Sequence, residues 1–183
     1  MSATEIKIGG EAGQGVILSG VVLAQAAARD GRSVSQSARY GAAVRGGQAT
    51  ADVVISDGWI DYPFAERPRW LALLSQQTYD ALTGSLEQGG LALYDPFFVR
   101  EIREPEQGRQ LAIPATERAM QSFGKGTSAN LILLSALVAL SGAVTPDGLR
   151  EAVSSTVSAR FRQTNLEALR IGRELAGEHG ESR

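Results

Sequence analysis

Apolar and polar positions along this chain follow two periods, and their order predicts alternating strands and helices in the first half. Residues 6–8 (Ile-Lys-Ile) read as a short strand that Gly9 and Gly10 end. Residues 16–29 are apolar on nearly every face and rich in alanine, which predicts a buried helix rather than a strand. Gly31 is its predicted stop, and residues 33–36 form a second strand. A Gly/Ala/Arg-rich loop leads to a third strand at 50–56, closed by the turn Asp57-Gly58. Residues 70–74 and 91–94 read as buried strands on either side of a helix at 77–88 that Gly89-Gly90 breaks, and 110–113 adds a further strand.

The second half turns helical. A short helix at 117–123 meets the breaker Gly124-Lys125-Gly126, and 128–141 is long and apolar. Thr145-Pro146 supplies an N-cap followed by proline at the first helical position, opening a helix to about 157. Residues 164–176 place Leu166, Leu169 and Leu175 among Glu and Arg, an amphipathic pattern. The pattern shows neither repeats nor a linker. The expected fold class is α/β, a Rossmann-like three-layer sandwich with a mostly parallel sheet and a helical C-terminal region, one domain over residues 1–183.

Composition narrows the chemistry. The 183 residues include no cysteine and one histidine, His179, near the end. Without cysteine there is no disulfide, thiolate nucleophile, or Cys-ligated zinc or iron–sulfur cluster. With one histidine in a polar tail, neither a Ser-His-Asp triad nor a multi-His metal site is expected. Eighteen Lys and Arg against 20 Asp and Glu give a net charge of −2, which argues against nucleic acid or an anionic membrane as partner. The most apolar stretch, 131–140, is half of the roughly 20 residues a membrane span requires. The first residues carry Glu5 and lack the basic start and apolar run of a signal peptide, so a soluble, cytoplasmic protein is expected.

Two loops are candidates for chemistry. The first, Gly9-Gly10-Glu11-Ala12-Gly13-Gln14-Gly15, joins strand one to its helix; its glycines permit close backbone approach, and the helix start offers N–H groups to an anion. The spacing Gly10-x-x-Gly13-x-Gly15 is not the dinucleotide order G-x-G-x-x-G. After Asp30 the next acidic residue is Asp52, so no carboxylate ends strand two to hold a ribose diol, although Arg39 is available there to a phosphate. A tight turn that binds nothing fits equally well. The second loop runs from Ser37 to Gln48 and contains Arg39-Tyr40-Gly41 and Arg45-Gly46-Gly47. If strands one and two are parallel, both loops leave the sheet at its carboxyl edge, where ligands and partner active sites gather in such folds. Arg45 offers a planar donor fork to a carboxylate or phosphate; a solvated loop or a subunit contact are the alternatives.

Other signals are structural in character. Gly124-Lys125-Gly126-Thr127 lacks P-loop spacing and reads as a helix-entry turn. Asp57, Asp61 and Glu66 share no metal-ligand spacing and read as solvated turn residues. Trp59, Tyr62, Pro63 and Phe64 form an aromatic cluster of the kind found in cores or interfaces.

The same two loops carry a family resemblance. Gly13-Gln14-Gly15-Val16 after a short strand, then Tyr40-Gly41 and Arg45-Gly46-Gly47, resembles the gamma subunit of the 2-oxoacid:ferredoxin oxidoreductases. Val54-Ile55-Ser56-Asp57, Ile60, Tyr62-Pro63, Leu74-Ser75-Gln76-x-x-Tyr79, Asn130…Leu134 and Asn165-x-x-Ala168-Leu169-x-x-Gly172 continue the resemblance over nearly the whole chain. Arg-Gly-Gly with a later Tyr-Pro is most similar to the 2-oxoglutarate branch; pyruvate, branched-chain, indolepyruvate (aryl-pyruvate) and phenylglyoxylate enzymes have related gamma chains. Three departures stand out: Ala12 replaces a usual glycine, Ala42-Ala43 a usual Pro-Glu, and Pro68-Arg69 a usual Pro-Asp.

The resemblance implies oxidative decarboxylation of a 2-oxoacid with coenzyme A, giving acyl-CoA, carbon dioxide and reduced ferredoxin. It implies thiamine diphosphate, Mg and iron–sulfur clusters on partner alpha and beta subunits, with a ferredoxin-like delta subunit as a further candidate partner. No catalytic residue and no metal ligand is expected on this chain, which has neither cysteine nor a Gly-Asp-Gly segment for a thiamine-bound metal. Its expected role is architectural. Gly10, Gly13, Gln14, Gly15, Arg45, Gly46 and Gly47 are the candidate contacts to coenzyme A or to the entrance of a partner's active site. A nucleotide-dependent reductase and a free-standing nucleotide-binding or regulatory module on a Rossmann-like fold are the competing readings.

Overall fold

The computed structural model describes residues 3–41 and 47–180. Six strands, β1 (Thr4–Glu11), β2 (Ser33–Tyr40), β3 (Gln48–Ser56), β4 (Trp70–Leu73), β5 (Leu91–Tyr94) and β6 (Arg109–Ala112), form one sheet in the order β2-β3-β1-β4-β5-β6. β1, β4, β5 and β6 pair in parallel, while β3 runs antiparallel to both β1 and β2. β2 therefore points the same way as β1 without touching it. The sheet is mostly parallel, as the alternating pattern predicts, with one reversed strand inserted.

Six helices cover it: α1 (Val16–Arg29), α2 (Gln76–Leu82), α3 (Ala115–Phe123), α4 (Ala129–Ser141), α5 (Pro146–Thr156) and α6 (Arg162–Gly180). Strand alternation divides the core between the two faces. Ile6 and Ile8 of β1, Val53 and Ile55 of β3, and Ala72 of β4 face the large helical layer of α1, α3, α4, α5 and α6. Leu71, Leu73 and Ala92 point the other way, onto Tyr79 of α2 together with Leu86 and Val99. α4 is buried on all sides from Ala129 to Val138 because it lies between the sheet and α6; Leu131, Ile132, Leu133, Leu134 and Leu137 are almost wholly removed from solvent, each contributing about 2–3 kcal/mol of burial. No helix among the described residues is long and apolar enough to cross a membrane.

The helix boundaries have local causes. The Oγ1 of Thr145 accepts from the Gly148 N–H at 3.0 Å with Pro146 at the first position, the cap expected from sequence. Asp30 then accepts from both the Thr145 N–H and its hydroxyl, fastening the end of α1 to the start of α5. Gly31, at φ 75°, ends α1, and Gly124, at φ 71°, ends α3, so the Gly124–Gly126 stretch is a helix-to-helix turn.

β1 and β2 run well past their predicted ends, and β3 begins two residues early. β1 continues through Gly9 and Gly10 to Glu11, because β3 on one side and β4 on the other hydrogen-bond the segment. Gly9 lies under α2, where a Cβ would come within 2.9 Å of Thr78 and Leu82; the glycine there allows close packing rather than a stop. β2 likewise runs to Tyr40, held by β3 along its whole length. α2 is shorter than predicted: it stops at Leu82 and passes into a single 3₁₀ turn at Thr83–Ser85.

Candidate functional site at the carboxyl edge of the sheet

β1 and β2 both end at the sheet's carboxyl edge, where Glu11 pairs with Gln48 and Tyr40 with Ala49. The two candidate loops therefore leave the sheet side by side, as expected. They also touch: the Ala12 N–H donates to the Gly47 carbonyl at 2.9 Å. Arg45 and Gly46, together with Ala42 and Ala43, lie outside the described residues.

Each residue of the glycine turn has a distinct task. Gly10 is buried, and a Cβ there would meet the Gln14 side chain at 2.7 Å and Val16 at 2.8 Å. Gly13 and Gly15 take φ of 96° and 79°, a region in which L side chains are strained. Around Gly13 nothing lies within 4 Å of a built Cβ, so its glycine answers to backbone conformation and leaves the turn open to solvent. Gly15 answers to both demands, since a Cβ would fall 2.5 Å from the Asn130 amide nitrogen. No side-chain hydrogen bond caps α1 at Gly15, and a helix start carries N–H groups without intrahelical partners. Backbone donors at a helix start suit an anionic group such as a phosphate or carboxylate.

Gln14 and Asn130 hold this shape. The Gln14 Oε1 accepts from the Glu11 N–H at 2.6 Å, and its Nε2 donates to the Leu74 carbonyl at 2.9 Å. The Leu74 N–H in turn donates to the Gly9 carbonyl, locking the end of β4 to β1. From α4, Asn130 Nδ2 donates to the Gly15 carbonyl and to Ser19 Oγ, both at 3.1 Å. Gln14 was a candidate ligand contact in sequence; here its amide is spent on bracing the turn. Asn130 was visible only within a family pattern, because its partners are more than a hundred residues away. Gln14→Ala is expected to cost about 1–2 kcal/mol by leaving the Leu74 carbonyl without its donor, measured as a lower urea midpoint with unchanged m-value.

Arg39, available to a phosphate on the sequence reading, lies against an acidic residue and an aromatic ring. Alternation along β2 turns it onto the sheet face away from α1, where it lies 3.6 Å from Asp52 and 4.8 Å above the Phe64 ring. Asp52 also pairs with Lys7 at 3.4 Å. Asp57 pairs with Arg32 at 2.7 Å and Glu66 accepts from the Tyr62 hydroxyl, in keeping with turn residues. Among the described residues, no group of three or more His, Asp or Glu is arranged to hold a metal ion. At the end of β5, Asp95 is fully buried and accepts from the Thr116 N–H and hydroxyl and from the Phe97 N–H. Burial raises its pKa above the usual carboxylate value, although these three donors oppose the shift. Its bonds show a strut that fixes the start of α3 to the sheet.

Two cavities among the described residues lie away from this turn. One of about 300 Å³ opens between α4, α5 and α6, lined by Val138, Leu149 and Leu169 with Arg150, Arg170 and Arg173 near its mouth. Another of about 490 Å³ opens at the opposite sheet edge among Glu5, Arg32, Arg67, Arg69 and Glu87. Neither includes a residue of the glycine turn. The turn, as described, is an open ledge compatible with an anion.

Comparison with known proteins gives a consistent picture. Residues 5–175 match the pyruvate ferredoxin/flavodoxin oxidoreductase family. The 2-oxoglutarate synthase subunit KorC of Methanothermobacter marburgensis is 37% identical over 177 residues, covering 93% of this chain and 95% of the relative. A keto/oxoacid ferredoxin oxidoreductase gamma subunit from Geobacter sulfurreducens superposes with a TM-score of 0.83 at 34% identity, over 96% of this chain and 99% of the other. The 2-oxoglutarate:ferredoxin oxidoreductase of Magnetococcus marinus, solved with 2-oxoglutarate, coenzyme A and succinyl-CoA bound, gives a TM-score of 0.87 at 25% identity; the match covers 97% of this chain but 32% of that one.

Proposed function

This chain belongs to the pyruvate ferredoxin/flavodoxin oxidoreductase family, and on that premise we propose that it is the gamma subunit of a 2-oxoglutarate:ferredoxin oxidoreductase. The correspondence with a 2-oxoglutarate synthase subunit supports the reading: 93% of this chain aligns with 95% of that subunit. The complex would convert 2-oxoglutarate and coenzyme A to succinyl-CoA and carbon dioxide, passing two electrons to ferredoxin. A cytoplasmic site of action fits that chemistry.

The division of labour follows from composition. With no cysteine this chain cannot ligate an iron–sulfur cluster through thiolates, and it has no Gly-Asp-Gly segment for a thiamine-bound metal, so both chemistries are assigned to the alpha and beta subunits, with a delta subunit as the further candidate. What this chain offers coenzyme A is backbone. The uncapped start of α1 and the open turn at Gly13 suit a phosphate group, while Gly10, Gln14, Gly15 and Gly47 shape the ledge; Arg45 and Gly46, outside the described residues, are proposed as further contacts on the strength of the sequence.

The test is kinetic. In the purified complex, coenzyme A-dependent dye reduction is expected to show kcat/KM for 2-oxoglutarate at least about tenfold above pyruvate, branched-chain and aryl 2-oxoacids, a difference of about 1.4 kcal/mol in transition-state binding. The isolated chain is expected to be inert. A complex that prefers another 2-oxoacid would move the assignment to that branch of the family.

A further inference from the structure

Residues 57–66 cross the sheet face opposite α1, over β2 and β3. The Ser35 hydroxyl donates to the Pro63 carbonyl, and Phe64 lies beneath the Arg39 guanidinium with Tyr62 edge-on to it at 5.4 Å. Three features separate this segment from an ordinary surface loop. Trp59 is 87% exposed and Tyr62 is 52% exposed, so the aromatic cluster that reads as core or interface is not core. Its ten residues hold Asp57, Asp61 and Glu66 and no Lys or Arg. Under it, among the described residues, the Ser37 hydroxyl is buried without a hydrogen bond, and the Asp52 carboxylate, though ion-paired with Lys7 at 3.4 Å and Arg39 at 3.6 Å, accepts none. β2 beside it is the sheet's edge strand, with one main-chain side open.

The occupant is indicated by the relative in which this chain corresponds to 32% of a longer polypeptide. Where both parts share one chain, the covalent link supplies a high effective concentration; a separate chain must hold its neighbour by surface contact alone. We propose that residues 57–66, with Trp59 and Tyr62 as anchors, form the docking surface for the separate polypeptide that corresponds to the remainder of that longer chain. The acidic, aromatic composition fits a partner surface bearing arginines, which can lie over an indole face and pair with a carboxylate together. This surface rests on the subunit reading above.

The experiment is titration of the purified partner subunits with wild-type chain, Trp59→Ala, Tyr62→Ala and the double variant, alongside circular dichroism melts. Both side chains are well exposed, so the melts should coincide, while the double variant should bind at least about thirtyfold more weakly. Asp61→Asn should reduce the salt dependence of binding. In the wild type, Trp59 should become shielded from acrylamide on assembly. A double variant that assembles with unchanged affinity overturns the surface while leaving the subunit reading in place. Self-association of the chain through Trp59 also overturns it, by making a second copy the occupant. Failure of the wild-type chain to bind any such subunit overturns both.

Discussion

Gly172→Ala is expected to lower the melting temperature by about 6–12 °C or to prevent folding, although it adds only one methyl group. Gly172 lies where α6 crosses α4. A Cβ there would fall 2.1 Å from the Ile132 carbonyl oxygen and 2.8 Å from the Ser135 Cβ. The nearer obstacle is backbone, which cannot turn aside as a side-chain tip can, so the helices must part. Parting them also strains the bond from the Ser135 hydroxyl to the Leu169 carbonyl, 2.6 Å long and buried beside the crossing. Overpacking of this kind costs about 3 kcal/mol or more, against total stabilities of about 5–15 kcal/mol, and each kcal/mol shifts the midpoint by about 2–4 °C in a chain of this size. Adding Ser135→Gly removes the 2.8 Å obstacle and leaves the 2.1 Å one, so it should not rescue the fold. A melt within a degree of wild type would show that the two helices tolerate wider spacing. The consequence reaches the carboxyl edge, because the seat of α4 also positions Asn130 on Gly15.

Sequence was most informative where a signal and its cause lie in neighbouring residues. The bounds of α1 and β5, and the Thr145-Pro146 start of α5, coincide with the structure because alanine content, a short apolar run and a capping pair act locally. It was less informative where partners are distant. Gly9-Gly10 reads as a break, yet strands on both sides keep it extended. The reversed β3 between β1 and β2 leaves no local trace, since alternation shows that a strand exists without naming its neighbours. The glycine turn was legible as a feature, and its place beside the second loop followed from strand direction. Its bracing was not, because Leu74 and Asn130 reach it only through the fold. Arg39 is instructive in another way: counting alternate residues along β2 from Val34, which packs against the helical layer, already assigns it to the opposite face.

Asp52→Ala carries the other large expected effect, about 3–5 kcal/mol of lost stability. Asp52 is 1% exposed and Lys7 8%, with 3.4 Å between their charged atoms, so removing the carboxylate strands an ammonium in a place that water barely reaches. Arg39, the other cation near Asp52, is more than half exposed and can turn toward solvent, so Arg39→Ala should cost less than about 1 kcal/mol. Lys7→Met on its own should be costly, since it leaves the buried carboxylate with only that exposed partner. Combining Lys7→Met with Asp52→Ala removes both charges and should recover much of the single-variant loss, a coupling of at least about 2 kcal/mol in a double-mutant cycle. Additive losses would mean that the two charges are held independently. The same cycle repeated in the assembled complex bears on the docking face, because Asp52, beneath residues 57–66, is held by ion pairs and accepts no hydrogen bond among the described residues. If a partner supplies donors there, the Asp52→Ala penalty should be greater in the complex than in the free chain.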